Sequence, residues 1–241
     1  MIFQKIYLIG EGRVAKECLK IACSFFKQEI IFIELKEKNK LDAFFKRESN
    51  SLILSVNNFY IFQKECVESN FIINYHNSLL PKYKGRNAHI WAIWNKENTT
   101  GITWHKIDCT IDTGDIILQK EIKINNSITA IKLLQMQQNL AINSLEECLK
   151  NIKNSSPQPN FIPIDKNIYK INQLPNNGLL NISWDIPVIE RFLRSMDNGS
   201  LTPKAKIKIS DIMYDILFYE INRLEIILFL SNNSKITIPK E

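Results

Sequence analysis

An apolar run from Lys5 to Ile9 stops at Gly10-Glu11-Gly12 and gives way to a helical face of Val14, Ala15, Cys18, Leu19, Ala22 and Phe26. A switch of apolar period from two to about 3.6 across a glycine turn reads as strand, turn, helix. The alternation continues. Ile30 to Leu35 is a second strand, and Ser51 to Val56 a third, apolar between its two serines as a strand covered on both faces is. Gln63 to Val67 suits a short helix, and Phe71 to Asn74 is a fourth strand that runs into polar residues. Strands alternating with helices require crossovers, so the expected class is α/β, a mostly parallel sheet flanked by helices. In such sheets the ligand crevice lies outside the carboxyl ends of the strands, which is where Asn74 and His76 fall.

Further along, Ala88 to Asn95 is expected as a helix, Gly101 to Ile107 and Ile116 to Ile124 as strands, and Thr129 to Ile152 as a long amphipathic helix capped by Ser127 or Thr129. The stretch NSSPQPNFIP carries three prolines and marks a boundary. We therefore expect a larger domain over residues 1–153, and a linker with a small C-terminal α+β extension over residues 154–241. In that extension Ile186 to Met196 forms a helix with Pro187 in its first turn, and Lys206 to Ile238 a few antiparallel strands.

Composition excludes several classes. A hydrophobic share of 45% with 23% charged residues is that of an ordinary globular chain. The net charge of +6 comes from scattered lysines without a run of like charges, so it does not argue for nucleic acid. Five irregularly spaced cysteines lack any C-x-x-C pair and read as free thiols of a reducing cytosol. The three histidines lack metal-ligand spacing, so no metal is expected. The start, MIFQKIYLIGEG, reads as a buried strand and not an export signal, and the run Ile226 to Leu230 is too short to cross a membrane. The expected protein is soluble and cytoplasmic.

The Gly10/Gly12 turn admits a dinucleotide reading, with Ala15 in the third position and Glu34 as the acidic partner. A tight turn that starts the helix close to its strand explains the same residues and is preferred, because the denser chemistry lies elsewhere.

That chemistry is in Asn74-Tyr75-His76-Asn77-Ser78-Leu79-Leu80-Pro81 with Gly85, in Gly101 to His105, and in Asp112-Thr113-Gly114-Asp115. Singly, each residue has a structural explanation: a capping asparagine, a hydrogen-bonded histidine, a turn at Asp112. Together they differ. Asn74 and His76 are separated by one residue, so an extended backbone points them the same way. Asp112 follows the next strand and can reach the same crevice. An amine attacking an acyl carbon generates an oxyanion, for which one fixed donor is worth about 3 kcal/mol. Asn74 is such a donor and His76 a second. Asp112 would stabilise a charged imidazole, hold the ring, and take a proton from the amine directly or through water. Of the cysteines only Cys109 lies near, and it is expected to be incidental.

This pattern resembles the 10-formyltetrahydrofolate-dependent formyltransferase family, whose motif is Asn-x-His-x-Ser-Leu-Leu-Pro, then Gly, then a T-x-H strand leading into Asp-x-Gly. Asn74, His76, Ser78, Leu79, Leu80, Pro81, Gly85, Thr103, His105, Asp112 and Gly114 match it in order. The resemblance covers roughly residues 1 to 150 and implies a Rossmann-like catalytic domain, 10-formyltetrahydrofolate as formyl donor, and Asn74, His76 and Asp112 as catalytic residues. It further implies folate beside Tyr60, Ile61 and Phe62 and beside Ile107 and Asp108, for which core packing is the competing role of the three apolar-segment residues. His105 receives only a supporting role. The chain is short, and Asn77, Arg86-Asn87-Ala88 and Trp91 resemble the sugar-nucleotide members. The first reading of the acceptor is thus a small-molecule amine, an amino sugar on a nucleotide or an amino-acid-derived amine, and the second is an aminoacyl-tRNA. After Met196 the chain is too short for a full OB-type barrel, and the tail is a candidate for homodimer formation. A catalytically idle homologue that binds folate or a partner is the alternative of another class, and a folate hydrolase relative a third.

Overall fold

The computed structural model describes residues 3–34, 37–154 and 167–240. In chain order the elements are β1 (Lys5–Gly10), α1 (Gly12–Phe26), β2 (Ile31–Ile33), α2 (Lys38–Phe45), β3 (Ser51–Val56), α3 (Lys64–Ser69), β4 (Phe71–His76), β5 (Lys84–Gly85), α4 (Ala88–Trp94), β6 (Thr99–Lys106), β7 (Ile116–Lys123) and α5 (Ala130–Asn154). They continue as β8 (Ile168–Tyr169), β9 (Leu179–Leu180), α6 (Ile186–Met196), β10 (Lys206–Ile209), β11 (Ile212–Ile221), β12 (Glu225–Leu230) and β13 (Lys235–Pro239). The chain forms two compact units interleaved in sequence: Met1–Gly85, Gly101–Ile122 and Met136–Ile168 in the first, and Arg86–Thr100, Lys123–Gln135 and Tyr169–Glu241 in the second. Leu35 and the proline-rich stretch over residues 155–163 lie outside the described residues.

The first unit is the expected α/β layer structure. Its sheet has the order β2-β1-β3-β4-β6-β7. The first four strands pair in parallel, and β6 runs antiparallel to β4. Alternation along the strands divides their side chains between two cores. Ile6, Leu8, Leu52, Leu54, Ile73 and Tyr75 face one side, under Val14, Ala15, Cys18 and Ala22 of α1 and Ala141, Leu145, Cys148 and Leu149 of α5. Tyr7, Ile9, Ile53 and Ile72 face the other, against Leu41 and Phe45 of α2 and Cys66 of α3. Every residue of β3 is buried, as its unbroken apolar run requires. Helix α2 is an element that the sequence pattern did not give: only Leu41 and Phe45 of its eight residues are buried, a stripe too sparse to register.

The glycine turn after β1 is a close-packing device. A Cβ on Gly10 would overlap the carbonyl oxygen of Val56, whereas one on Gly12 would make only an ordinary contact with Asn57 Nδ2 at 3.8 Å, so Gly12 owes its identity to a left-handed φ of 74°. Neither expected cap of α5 operates. The Ser127 hydroxyl donates to Asn125, and the Thr129 hydroxyl is buried without a partner among the described residues. Burial pushes the Cys18 thiol up to about 12 and the Cys66 thiol to about 11, so both are unreactive packing groups.

In the second unit a sheet of order β13-β12-β11-β10-β9 packs on α6 through Ile189, Phe192, Leu193 and Met196. Strands β10 to β13 are antiparallel in succession, as expected for the tail. Pro187 does sit in the first turn of α6. His89 of α4 is fully buried there, with Nε2 3.0 Å from Asn198 Oδ1. Burial lowers its pKa from 6.5 to about 4, against a smaller raising effect of Asn198. The unfolded chain therefore takes up a proton at a higher pH than the folded one. Stability present above pH 6.5 should fall as the pH drops toward about 4, by up to about 3 kcal/mol, and level off below. Urea unfolding midpoints of wild type and His89→Gln across this range test it; the variant should lose the dependence.

Candidate active site

Strand β4 sets the geometry. Its antiparallel register with β6 places Asn74 opposite His105 and His76 opposite Thr103. Directly opposed residues share a face, so the carboxyl end of one strand and the facing part of the next present an amide, two imidazoles and a hydroxyl together. The loop after β6 then supplies Asp112, at a left-handed φ of 51°. Its Oδ2 lies 3.5 Å from His76 Nδ1 and its Oδ1 3.5 Å from His105 Nε2. The backbone N–H of Gly85 donates to Oδ2 at 2.7 Å. The carboxylate thus bridges two imidazoles, both nearly inaccessible to solvent.

Each ring is anchored at its far nitrogen. His76 Nε2 donates to the Tyr83 carbonyl at 2.9 Å, and His105 Nδ1 to the Lys106 carbonyl at 2.9 Å. Carbonyls only accept, so these nitrogens carry the ring protons and the nitrogens facing Asp112 are acceptors in the neutral rings. Asn74 Nδ2 donates to His105 Nε2 at 3.2 Å, and Asn74 Oδ1 accepts from the Ser55 hydroxyl at 2.9 Å. Its second Nδ2 hydrogen has no protein acceptor among the described residues. For Asp112, burial by itself would raise the pKa. The charge of His76, the hydrogen bond and charge of His105, and the Gly85 N–H outweigh burial and hold the carboxyl well below the usual range.

The loop between β4 and α4 is pinned from beneath. Thr103 Oγ1 donates to the Ser78 carbonyl at 2.7 Å and accepts from Leu80 N–H at 3.1 Å. Gln119 Nε2 reaches Thr103 Oγ1 and the Leu80 carbonyl, both at 2.9 Å. Gln137 of α5, completely buried, donates to the carbonyls of Asn77 at 2.8 Å and Gly101 at 3.0 Å. The Leu80-Pro81 peptide is cis.

The remaining expected site residues are placed as follows. Tyr60 and Phe62 are core residues: their rings pack with Phe45, and the Tyr60 hydroxyl donates to Asp42 at 2.7 Å. Both residues are 7% exposed. Alternation turns the neighbours outward, and Phe59 and Ile61 are 54% and 66% exposed. Ile107 packs against the same cluster, which brings the 58–62 segment and the loop after β6 to one end of the sheet. The Asp108 carboxylate is occupied within its loop, accepting from Thr110 N–H at 2.9 Å and from the Thr113 hydroxyl at 2.7 Å. Cys109 is an exposed free thiol.

Ser55, Gln119 and Gln137 were not singled out in the sequence, and His105, given a supporting role there, lies 3.5 Å from Asp112 Oδ1. The available signals were polar residues interrupting apolar periods: Ser55 in the run Leu52 to Val56, and Gln137 midway between the buried Leu133 and Ala141.

A carboxylate held between two imidazoles thus stands beside an amide with one hydrogen that has no acceptor among the described residues, at the carboxyl end of β4. The chain belongs to the formyl transferase family, whose model matches residues 10–149. It is 34% identical over 151 residues to GDP-perosamine N-formyltransferase of Brucella melitensis, a match covering 63% of this chain and 57% of that protein. It is 41% identical over 109 residues to methionyl-tRNA formyltransferase of Acetivibrio thermocellus, covering 42% of this chain and 35% of that one. Both matches therefore span less than two thirds of the relative's length. Among solved structures, the N-formyltransferase of Helicobacter canadensis in complex with folinic acid and dTDP-3-aminofucose superposes with a TM-score of 0.71 at 19% identity, over 100% of both chains. Among the described residues no helix is long and apolar enough to cross a membrane.

Proposed function

We propose that the chain is an N-formyltransferase that takes the formyl group of 10-formyltetrahydrofolate and delivers it to the primary amine of an amino sugar carried on a nucleotide. The observation that carries the reading is the contact of Asp112 with both His76 and His105, next to an Asn74 amide whose spare hydrogen is available to an oxyanion. Asn74 Nδ2 donates to the formyl oxygen as charge develops there, where one such donor contributes about 3 kcal/mol. The attacking amine loses a proton as its C–N bond forms. His76 Nδ1, the acceptor nitrogen facing Asp112 Oδ2, is where that proton comes to rest, stabilised by the carboxylate. The same proton then goes to the departing nitrogen of the donor, so no net proton is stored.

The donor fits the residues present. Phe59 and Ile61 offer exposed apolar surface to a planar ring, and they lie on the segment that Asn58 joins to Ser55. An amino-sugar acceptor is supported by the longer match to the perosamine enzyme than to the tRNA enzymes, and by likeness over the whole chain to sugar N-formyltransferase structures. The higher local identity to methionyl-tRNA formyltransferase supports aminoacyl-tRNA as the second reading. Release of tetrahydrofolate from 10-formyltetrahydrofolate, measured with amino-sugar nucleotides, amino acids and methionyl-tRNA, tests both. Turnover with an amino-sugar nucleotide is expected; turnover with methionyl-tRNA alone would overturn the first reading.

A further inference from the structure

The three residues of the proposed reaction leave a buried polar relay unexplained. Ser55 is the last polar residue of β3, 2% exposed in a strand whose other central residues are apolar. Its parallel register with β4 sets it directly beside Asn74. Its hydroxyl donates to Asn74 Oδ1 at 2.9 Å and accepts from Asn58 Nδ2 at 3.1 Å. Asn58 Oδ1 in turn accepts the Tyr60 N–H at 3.0 Å.

While His105 is neutral, each bond in this chain has one direction. The Lys106 carbonyl requires a proton on His105 Nδ1, which makes Nε2 the acceptor of the neutral ring. An acceptor there requires the NH2 end of Asn74, so the oxygen end faces β3 and needs a donor. Ser55 is that donor, and it is left with lone pairs to receive the Asn58 amide. A carboxamide can turn over and exchange its two ends, at which point Asn74 would present oxygen instead of nitrogen to its surroundings. A donor fixed on one side and an acceptor on the other remove that freedom.

We propose that Ser55 is a positioning residue for the transfer: through its hydroxyl, backed by Asn58, it holds the Asn74 carboxamide with Nδ2 toward the reacting oxygen. The inference rests on the proposed function for its catalytic meaning, and on geometry alone for its structural one. Asn58 opens the 58–62 segment proposed to flank the donor, so the relay also ties that segment to the amide.

Ser55→Ala is expected to lower kcat by about 10- to 100-fold with KM for donor and amine within about twofold, since only a transition-state contact is disturbed. Ser55→Thr, which keeps the hydroxyl, should recover most of the rate. In an Asn74→Ala background, Ser55→Ala should cost less than about twofold more, because residues acting through one group are not additive. A merely structural serine would give losses that multiply in the double variant, and that result would overturn the proposal, as would an unaltered kcat in Ser55→Ala. A readout independent of turnover separates this from the formyl-transfer reading. The Asn74 side-chain amide, followed by its 15N–1H resonances, should shift in Ser55→Ala and stay in place in Ser55→Thr. An unmoved resonance in the alanine variant defeats the positioning role even if wild type forms no product, whereas a wild type inactive on every amine counts against the function alone.

Discussion

Asp112→Asn is expected to lower kcat for formyl transfer by about two to three orders of magnitude in a protein that still folds. Asparagine is nearly the same size, and its oxygen can still accept the Gly85 N–H that Asp112 accepts at 2.7 Å. What disappears is the charge facing both imidazoles at 3.5 Å. A proton arriving at His76 Nδ1 would then meet a neutral amide oxygen in place of an anion, and the amide NH2 would stand on the His105 side. Asn74→Ala and His76→Ala should each cost at least about a hundredfold, the usual loss for a fixed donor or proton acceptor. Rates measured at saturating donor, with circular dichroism as the check on folding, decide the matter; three variants with wild-type turnover would reject the assigned roles. Stability carries a second signature. Because the folded carboxyl titrates below its ordinary 3.8, the contribution of Asp112 is fully present above that pH and is lost as the pH falls through the lower folded value. The difference in urea midpoint between wild type and Asp112→Asn should accordingly shrink on acidification below about pH 4.

Gly114→Ala is expected to damage both stability and rate, although it adds a single methyl group. A Cβ at Gly114 would overlap the carbonyl of Lys106 and stand 3.4 Å from Asp108 N. All of these are backbone atoms, so no side chain can swing aside, and the loop after β6 must move as a whole. Lys106 is also tied to that loop by its N–H, which donates to the Asp115 carbonyl at 2.8 Å. We expect a loss of about 3 kcal/mol, the upper part of the range for overpacking, and a fall in kcat of at least about tenfold, since Asp112 sits two residues upstream and a displacement near 1 Å is costly in a preorganised site. Gly12→Ala is the control. Its nearest neighbour, Asn57 Nδ2, is 3.8 Å away, so only the strain of a positive φ, about 1 kcal/mol, applies and kcat should not change. Denaturant midpoints and kcat of the two variants compare these costs.

Much of this architecture was legible in the chain, because it is written in apolar periodicity. The runs at Lys5, Ser51 and Phe71 are strands, and the face of α1 buries Val14, Ala15, Cys18 and Ala22 as its spacing predicts. The one-residue spacing of Asn74 and His76 and their convergence with Asp112 could be read too. What escaped depends on tertiary pairing. His105 became a full neighbour of the carboxylate only through the register of β4 with β6, which no local pattern encodes. Ser55 depends likewise on the β3–β4 register. Tyr60 and Phe62 depend on tertiary packing as well, because they meet Phe45 of α2, the helix that the pattern missed.

The antiparallel pairing of β4 with β6 has a consequence for how such a chain can drift in length. One residue gained or lost within Gly101 to Thr103 would turn His105 to the opposite side of the sheet and leave Asn74 beside a stranger, because side chains alternate at every step. The span between Lys106 and Asp112 is a tether whose length matters only through where it lets the carboxylate land. Insertions should therefore accumulate in loops remote from this ladder, while the count of residues inside the ladder stays fixed even where their identities wander.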